Sequence, residues 1–277
     1  MSQAEVRRAA ALDAAAVAAA ARALDQAECT RTQIPLLTNQ YPAMQMDDAY
    51  AVQAEWVRQK RARGDAIVGW KIGLTSKAMQ AALSIDIPDS GVLFESMLFG
   101  NGAVVPPDRF IQPRIEAEIA FMTRKAIDPD DLSAEALLDA MAYAAPALEI
   151  LDTRIQRRDP GTGRLRTVFD TIADNAANAG VVLGAPVSDL AALDLRWVGA
   201  IVSRNDVVEE TGLGAGVLGH PLTSVAWLVE RLATYGDHIE AGQIVLAGSF
   251  IRPIEAPSGS VIVADFGDFG RVSCTFE

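Results

Sequence analysis

Apolar and polar positions follow two different rhythms along the chain. Over residues 1–65 the pattern is helical: the alanine-rich opening MSQAEVRRAAALDAAAVAAAARAL reads as a surface helix. Asp47 is placed to cap a second helix, whose Ala49, Val52 and Trp56 share one face and which stops at Gly64. From Ala66 onward, short β-branched and aromatic runs are separated by Gly, Pro and Asp; AIVGWKIGL, GVLF, GAVV and RIEAEIAFM predict strands. Ser133 and Glu135 open a further helix with Leu137, Leu138 and Met141 turned to the core, and Pro146 marks a change of direction before ALEILD. RRDPGTGRLR is a polar loop and the most basic stretch of the chain. Residues 224–232 read as a helix, and IVLAGSF, SVIVADF and RVSCTF as late strands. Mixed strands with peripheral helices predict an α+β fold, organised as an N-terminal helical unit over 1–65 and a main domain over 66–277.

Composition narrows the function classes. Half of the 277 residues are hydrophobic and 22% are charged, which suits a packed core without staples. A net charge of −12 and a pI near 4.7 argue against nucleic acid or an anionic membrane as partner, since both are polyanions. An acidic small substrate stays open, because a local cation can reverse the field inside one pocket. Two cysteines, Cys29 and Cys274, form neither a disulfide framework nor a thiolate site, so the chain reads as cytoplasmic. Arg7 and Arg8 before the alanine run imitate a signal peptide, but Asp13 interrupts the run and no Leu-rich region follows. Nor does any stretch reach the roughly 18 apolar residues of a membrane span.

The segment RIEAEIAFM carries the main chemical inference. With strand alternation, Ile115, Ala117, Ile119 and Phe121 form one apolar face, and Glu116 and Glu118 fall on the other, about 7 Å apart. Buried together, two carboxylates persist only if protonated, paired with cations or bound to a metal. PALEILD adds Glu149 between Leu148 and Ile150. Three glutamates form a hard oxygen set suited to Mg²⁺ or Mn²⁺ and leave about three octahedral positions for water or substrate. On periodicity alone, a solvent-facing acidic strand is an equal alternative.

Longer segments resolve more. GWKIGLTSKAMQ (69–80), DRFIQPRIEAEIAF (108–121), PALEILDTRI (146–155), VFDTIADNAANAGVVLG (168–184), EETGLGAGVLGHP (209–221), VAWL (225–228) and IEAGQIVLAGSFIRP (239–253) resemble the hydratase and decarboxylase branch of the fumarylacetoacetase superfamily. The branch holds 2-oxopent-4-enoate hydratases, 2-oxohept-4-ene-1,7-dioate hydratases and 4-oxalocrotonate decarboxylases. RRDPGTGRLRTVFDTIADN and GSFIRP look most like the heptenedioate hydratases of aromatic catabolism, whereas GAGVLGHP is also similar to the decarboxylases. The resemblance implies a core like the C-terminal domain of fumarylacetoacetase, a homo-oligomer, and Mg²⁺ or Mn²⁺ on Glu116, Glu118 and Glu149. It further implies an active-site lysine at Lys71, an acidic residue at Asp89, and a small 2-oxo acid substrate that chelates the metal through its C1 carboxylate and C2 oxygen.

The remaining site residues are expectations of differing kinds. Lys71, between apolar neighbours, needs an anion and becomes a proton shuttle if burial lowers its pKa. Asp89, between Pro88 and Gly91, is a candidate water-activating base, although such an aspartate commonly just forms a turn. Thr75, Ser76 and Ser249 are candidate donors to the substrate carboxylate. Arg154, Arg157, Arg158 and Arg252 are candidate partners for the far carboxylate of a dioate, against the plain alternative of solvated loop arginines. His220 and His238 read as structural or exposed. GLGAGVLG lacks the strand and helix of a nucleotide site. A scaffold role beside a pathway decarboxylase, without catalysis, is the non-enzymatic reading.

Overall fold

The computed structural model describes residues 11–77, 80, 85 and 87–277; the first ten residues of the expected opening helix, and Ala78 and Met79 of the GWKIGLTSKAMQ segment, lie outside them. In chain order the elements are α1 (Ala14–Thr30), α2 (Leu37–Gln40), α3 (Met46–Ala62), β1 (Ile67–Gly73), β2 (Asp89–Phe94), β3 (Leu98–Gly100), β4 (Ala103–Val105), β5 (Arg114–Thr123) and α4 (Ala134–Ala140). These are followed by β6 (Met141–Leu151), α5 (Val168–Ala173), β7 (Asn178–Leu183), β8 (Gly199–Arg204), β9 (Val207–Leu213), α6 (Pro221–Ala233), β10 (Ile244–Leu246), β11 (Ile254–Glu255), β12 (Val261–Asp265) and β13 (Arg271–Phe276).

Asp13 caps α1, its side chain accepting from Ala16 N–H at 2.8 Å. The start of α3 differs from expectation. Gln45 and Asp48 form a reciprocal capping box, Asp48 reaching back to the Gln45 N–H at 2.8 Å, and Asp47 is the second residue of the helix rather than its cap. Ala49, Val52 and Trp56 are buried as one face, and Trp56 meets Phe94 of β2 edge-on at 5.7 Å between centroids. Residues of α1 and α3 thus share one continuous core with the strands that follow.

An eight-stranded mixed sheet runs in the order β2-β1-β10-β5-β6-β7-β3, with β11 also on β5, and a second sheet of five strands runs β4-β13-β12-β8-β9. Pro146 departs from expectation: rather than turning the chain, it lies inside β6, opposite Ile119 of β5. Its carbonyl accepts from Gly184 N–H at 2.8 Å, so its nitrogen faces the same side, where the β7 segment carries an extra residue between the Ala147–Leu183 pair and the Ala144–Val187 bridge. The missing N–H falls where the ladder is already interrupted.

Alternation assigns each side of the large sheet. One face carries Trp70, Ile72, Val92, Phe94, Ile115, Ile119, Phe121, Leu148 and Ile150, all buried in the main core. The opposite face carries Lys71, Asp89, Glu116, Glu118 and Glu149, and beside them a smaller apolar cluster of Leu93, Ala120, Ala147, Val181, Ile244 and Leu246. Both faces of β5 are covered, which removes the solvent-facing alternative for its glutamates.

Candidate metal centre and active-site cavity

Register brings the acidic side chains together. Glu116 on β5 pairs directly with Glu149 on β6, Glu118 follows two residues later on the same face, and one carboxylate oxygen from each lies within 4.8 Å of the others. Glu118 and Glu149 are fully buried, whereas Glu116 opens to a cavity. Lys71 reaches across from β1, its ammonium 3.3 Å from Glu149 Oε1 and donating to the carbonyl of Ala176 at 3.2 Å. Asn178 Nδ2 donates to Glu149 Oε1 at 2.7 Å, and Gly248 N–H to Glu118 Oε2 at 2.7 Å. The far oxygens, Glu118 Oε1 and Glu149 Oε2, are buried without a hydrogen-bond partner.

Such an arrangement is costly without a cation. Burial, then the charges of Glu149 and its neighbours, push Glu116 up to about 8 and raise Glu118 well above the carboxylate range. Burial works against the charge on Lys71, but Glu149, Asp89, Glu116 and Glu118 outweigh it and hold the ammonium above its ordinary pKa. The condition attached to the proton-shuttle expectation, a lowered pKa, is not what the surroundings produce: the acidic side chains around Lys71 raise it where burial alone would lower it. The donor set fits a divalent ion, since opposite ligands at about 2.1 Å from Mg²⁺ lie about 4 Å apart, and the orphaned oxygens supply the unsatisfied acceptors that a hard cation requires.

A strained turn sets these contacts. Asn175, Ala176 and Ala177 are all left-handed, with φ of 52°, 50° and 61°, which costs roughly 1–2 kcal/mol per non-glycine residue. Asn175 is pinned by both ends of its amide to Val92 of β2, at 2.8 and 2.9 Å, and Gly91 leaves room, since a Cβ there would meet the Asn175 carbonyl at 2.6 Å. Just before the turn, Asp174 accepts from Arg154 Nε and main-chain N–H, while the Arg154 guanidinium also donates to the carbonyls of Asp174 and Asn178. The turn aims the Ala176 carbonyl at Lys71 and the Asn178 amide at Glu149.

A cavity of about 360 Å³ opens beside the glutamates, lined by Lys71, Thr75, Ser76, Asp89, Glu116, Arg157 and Ser249 among the expected residues. Asp89 is buried, its Oδ1 has no hydrogen-bond partner, and Gly73 makes space for it, a Cβ there falling 2.2 Å from that oxygen. Burial first, and Glu149 second to the opposing Lys71, bring Asp89 up to about 6. Ser249 lines the cavity, but its hydroxyl donates to the Ile251 carbonyl at 2.8 Å and accepts from Ile251 N–H at 3.2 Å.

Three expected arginines are engaged elsewhere. Arg154 is consumed by Asp174, Arg158 is exposed and donates to the Gly163 carbonyl at 2.8 Å, and Arg252 is exposed and pairs with Glu210 at 2.5 Å. Local geometry is the reason in each case, and none of the three lines the cavity. Two arginines that sequence reasoning passed over, Arg114 and Arg166, do line it. Arg114 precedes Glu116 by one strand repeat, a signal that alternation contained; Arg166 carried no signal within a basic loop. His220 caps α6, accepting from Leu222 N–H at 3.1 Å, and His238 pairs with Glu240 at the surface.

No protein-family model matches the chain. It is 51% identical over 256 residues, 92% of its length and 96% of the relative's, to 2-oxo-hept-4-ene-1,7-dioate hydratase from Escherichia coli. A 4-oxalocrotonate decarboxylase from Pseudomonas putida G7, solved with magnesium and adipate, superposes with a TM-score of 0.89 at 35% identity, covering 97% of this chain and 100% of the other. Fumarylpyruvate hydrolase from Pseudomonas aeruginosa shares the fold at 12% identity and a TM-score of 0.56, over 75% of this chain and 88% of its own. With its α+β core and buried glutamate cage, the chain belongs to the hydratase and decarboxylase branch of the fumarylacetoacetase superfamily.

Proposed function

We propose that this protein is a hydro-lyase that adds water to a short 2-oxoenoate or its 2-hydroxydienoate tautomer, with 2-oxohept-4-ene-1,7-dioate the preferred substrate and a 4-hydroxy-2-oxo acid the product. The observation that carries the reading is the cage of Glu116, Glu118 and Glu149, with orphaned oxygens, paired with Lys71 beside a cavity. The near full-length similarity to a hydratase acting on that dioate selects the reaction.

Held by these three glutamates, Mg²⁺ or Mn²⁺ would supply Lewis-acid stabilisation of negative charge at the 2-oxo end of the ligand. Lys71 contributes a fixed positive charge that balances Glu149 and faces the same end. The 4-ene first becomes the 3-ene conjugated with the 2-oxo group, C3 losing a proton and C5 gaining one; Asp89, with a free oxygen on the cavity, then takes the proton of the incoming water as its oxygen bonds to C4, and a proton returned to C3 completes the addition. Thr75 and Ser76 line the wall beside Lys71 as donors to the substrate carboxylate.

The test is a purified-chain assay with Mg²⁺ that follows water addition and CO₂ release separately. Water addition to the seven-carbon dioate is expected, and Lys71→Met should remove turnover while leaving a folded protein; near-normal activity of that variant would refute the role. CO₂ release without hydration would favour 4-oxalocrotonate decarboxylase, a reading supported by the TM-score of 0.89 to such an enzyme. A substrate-preference shift to the five-carbon acid would mark a 2-oxopent-4-enoate hydratase.

We propose self-association through the second sheet, where Ile201, Val207, Val208, Leu213 and Val261, with Trp197 just before β8, are exposed apolar side chains. Association with a pathway decarboxylase is the further partner expected, and co-purification of the two chains tests it. Among the described residues no helix is long and apolar enough to cross a membrane, and Cys29 and Cys274 are unpaired, which supports a cytoplasmic location.

A further inference from the structure

The cavity has two ends of opposite charge. At one end stand the glutamates; at the other, Arg114, Arg157 and Arg166 converge from two segments. Glu118, Glu116 and Arg114 occupy successive inner-face positions of β5, so Arg114 lies one strand repeat, about 7 Å, beyond Glu116, similar to the reach of an extended seven-carbon diacid. Arg157 and Arg166 are brought together across the basic loop, where Arg166 N–H donates to the Arg157 carbonyl at 3.1 Å.

These cations are unevenly compensated. Arg114 pairs with exposed Glu255 at 3.0 Å. Arg157 donates only to neutral acceptors, the side-chain and main-chain oxygens of Gln112 at 3.1 and 3.0 Å. Among the described residues no carboxylate lies within ion-pair distance of Arg157 or Arg166, and Arg166 Nη1 is buried without a hydrogen-bond partner. Burial lowers the pKa of both guanidiniums, and for Arg157 the neighbouring Arg114 and Arg166 add to it, bringing it to about 10 against the weaker opposing pull of Asp152 and Glu255. Among the described residues the one carboxylate paired with a cation of this corner is the exposed Glu255, on Arg114.

We infer that Arg166 and Arg157, supported by Arg114, form the receptor for the distal carboxylate of the substrate, and that they set the preference for dicarboxylic over monocarboxylic 2-oxo acids. A planar guanidinium with a free edge is matched to a carboxylate in two-point contact, and the anion satisfies the orphaned N–H and relieves the repulsion among the three cations. Four-carbon spacing between the chelating and distal ends places both charges at once. The inference rests on the hydratase reading only for which end of the ligand meets the glutamates.

The experiment therefore measures binding of unreactive probes as well as turnover. 2-Oxoheptanedioate and 2-oxoheptanoate share one 2-oxo acid end and one chain length, lack the double bond that hydration requires, and differ only in the distal carboxylate. In the presence of Mg²⁺ the unaltered protein is expected to bind the diacid about thirtyfold more tightly, and Arg166→Met to abolish that preference while binding the monoacid as before. Arg157→Met should show the same pattern more weakly, and it serves as the test if Arg166→Met fails to fold by circular dichroism. Equal affinity for the two probes in the unaltered protein, an unchanged preference in the folded variants, or an equal loss for both probes would overturn the inference. Absence of turnover with an intact, arginine-dependent diacid preference would instead count against the hydratase reading while leaving the receptor in place.

Discussion

Two clusters of buried charge flank Asn178, and they are finished differently. On one side Arg154 and Asp174 make an ion pair whose remaining groups are all engaged, with main-chain N–H groups of Arg154 and Ile155 on the carboxylate and carbonyls of Asp174 and Asn178 on the guanidinium. On the other side Glu116, Glu118 and Glu149 face one another with, among the described residues, a single cationic side chain in contact, Lys71, and with two carboxylate oxygens unsatisfied. Both are inaccessible to solvent at their centres, and strand or turn geometry fixes both. The difference teaches how to tell a structural ion pair from a candidate ligand site: the first is complete as folded, and the second leaves acceptors that an added cation would satisfy.

The sharpest way to break the comparison is to remove one carboxylate from each cluster. Glu118→Gln should lower turnover on the order of a thousandfold, since several kcal/mol of metal-derived stabilisation is lost, yet raise the melting temperature of the metal-free protein by relieving repulsion. Asp174→Asn should do the reverse to stability: it strands Arg154 in the interior and costs about 3–5 kcal/mol, read by urea unfolding. If both substitutions destabilise equally, the two clusters are alike and the distinction fails.

A smaller effect is expected at the residue between them. Asn178→Ala removes the donor that orients Glu149 and should weaken Mg²⁺ binding by roughly tenfold to a hundredfold, measured by calorimetry, with the fold retained. The smallest effect is a dependence on pH. Because burial and mutual repulsion raise Glu116 from 4.5 to about 8, the metal-free folded state holds protons that the unfolded chain has released over that range, so its stability falls as pH rises. Metal displaces those protons, and the rise in melting temperature on adding Mg²⁺ should grow from pH 5 to about pH 8; a constant increment would contradict the shift.

Much of this was legible in residue order. Alternation in RIEAEIAFM placed Glu116 and Glu118 on one face, and the strand runs around Lys71 and Glu149 placed both in sheet. Register was not legible: that Glu149 stands opposite Glu116 depends on the β5–β6 pairing, and β6 runs straight through Pro146 because the facing segment bulges there. The same limit explains the arginines. A basic loop gives no period by which to choose among its side chains; its closure by main-chain bonds, Arg166 to Arg157 and Asp159 to Arg164 among them, brings Arg157 and Arg166 together, whereas Arg154 was captured by Asp174 twenty residues away. The left-handed run at 175–177 carries little sequence mark beyond Asn175, since none of its residues is glycine and two are alanine.

The central claim is that the three glutamates hold one divalent ion. Titration of Mn²⁺ into the purified chain, followed by electron paramagnetic resonance of the free ion, tests it directly. One ion bound per chain, displaced by Mg²⁺ and lost in Glu118→Gln, is the result expected; uptake that is absent, or unchanged in that variant, would contradict the account.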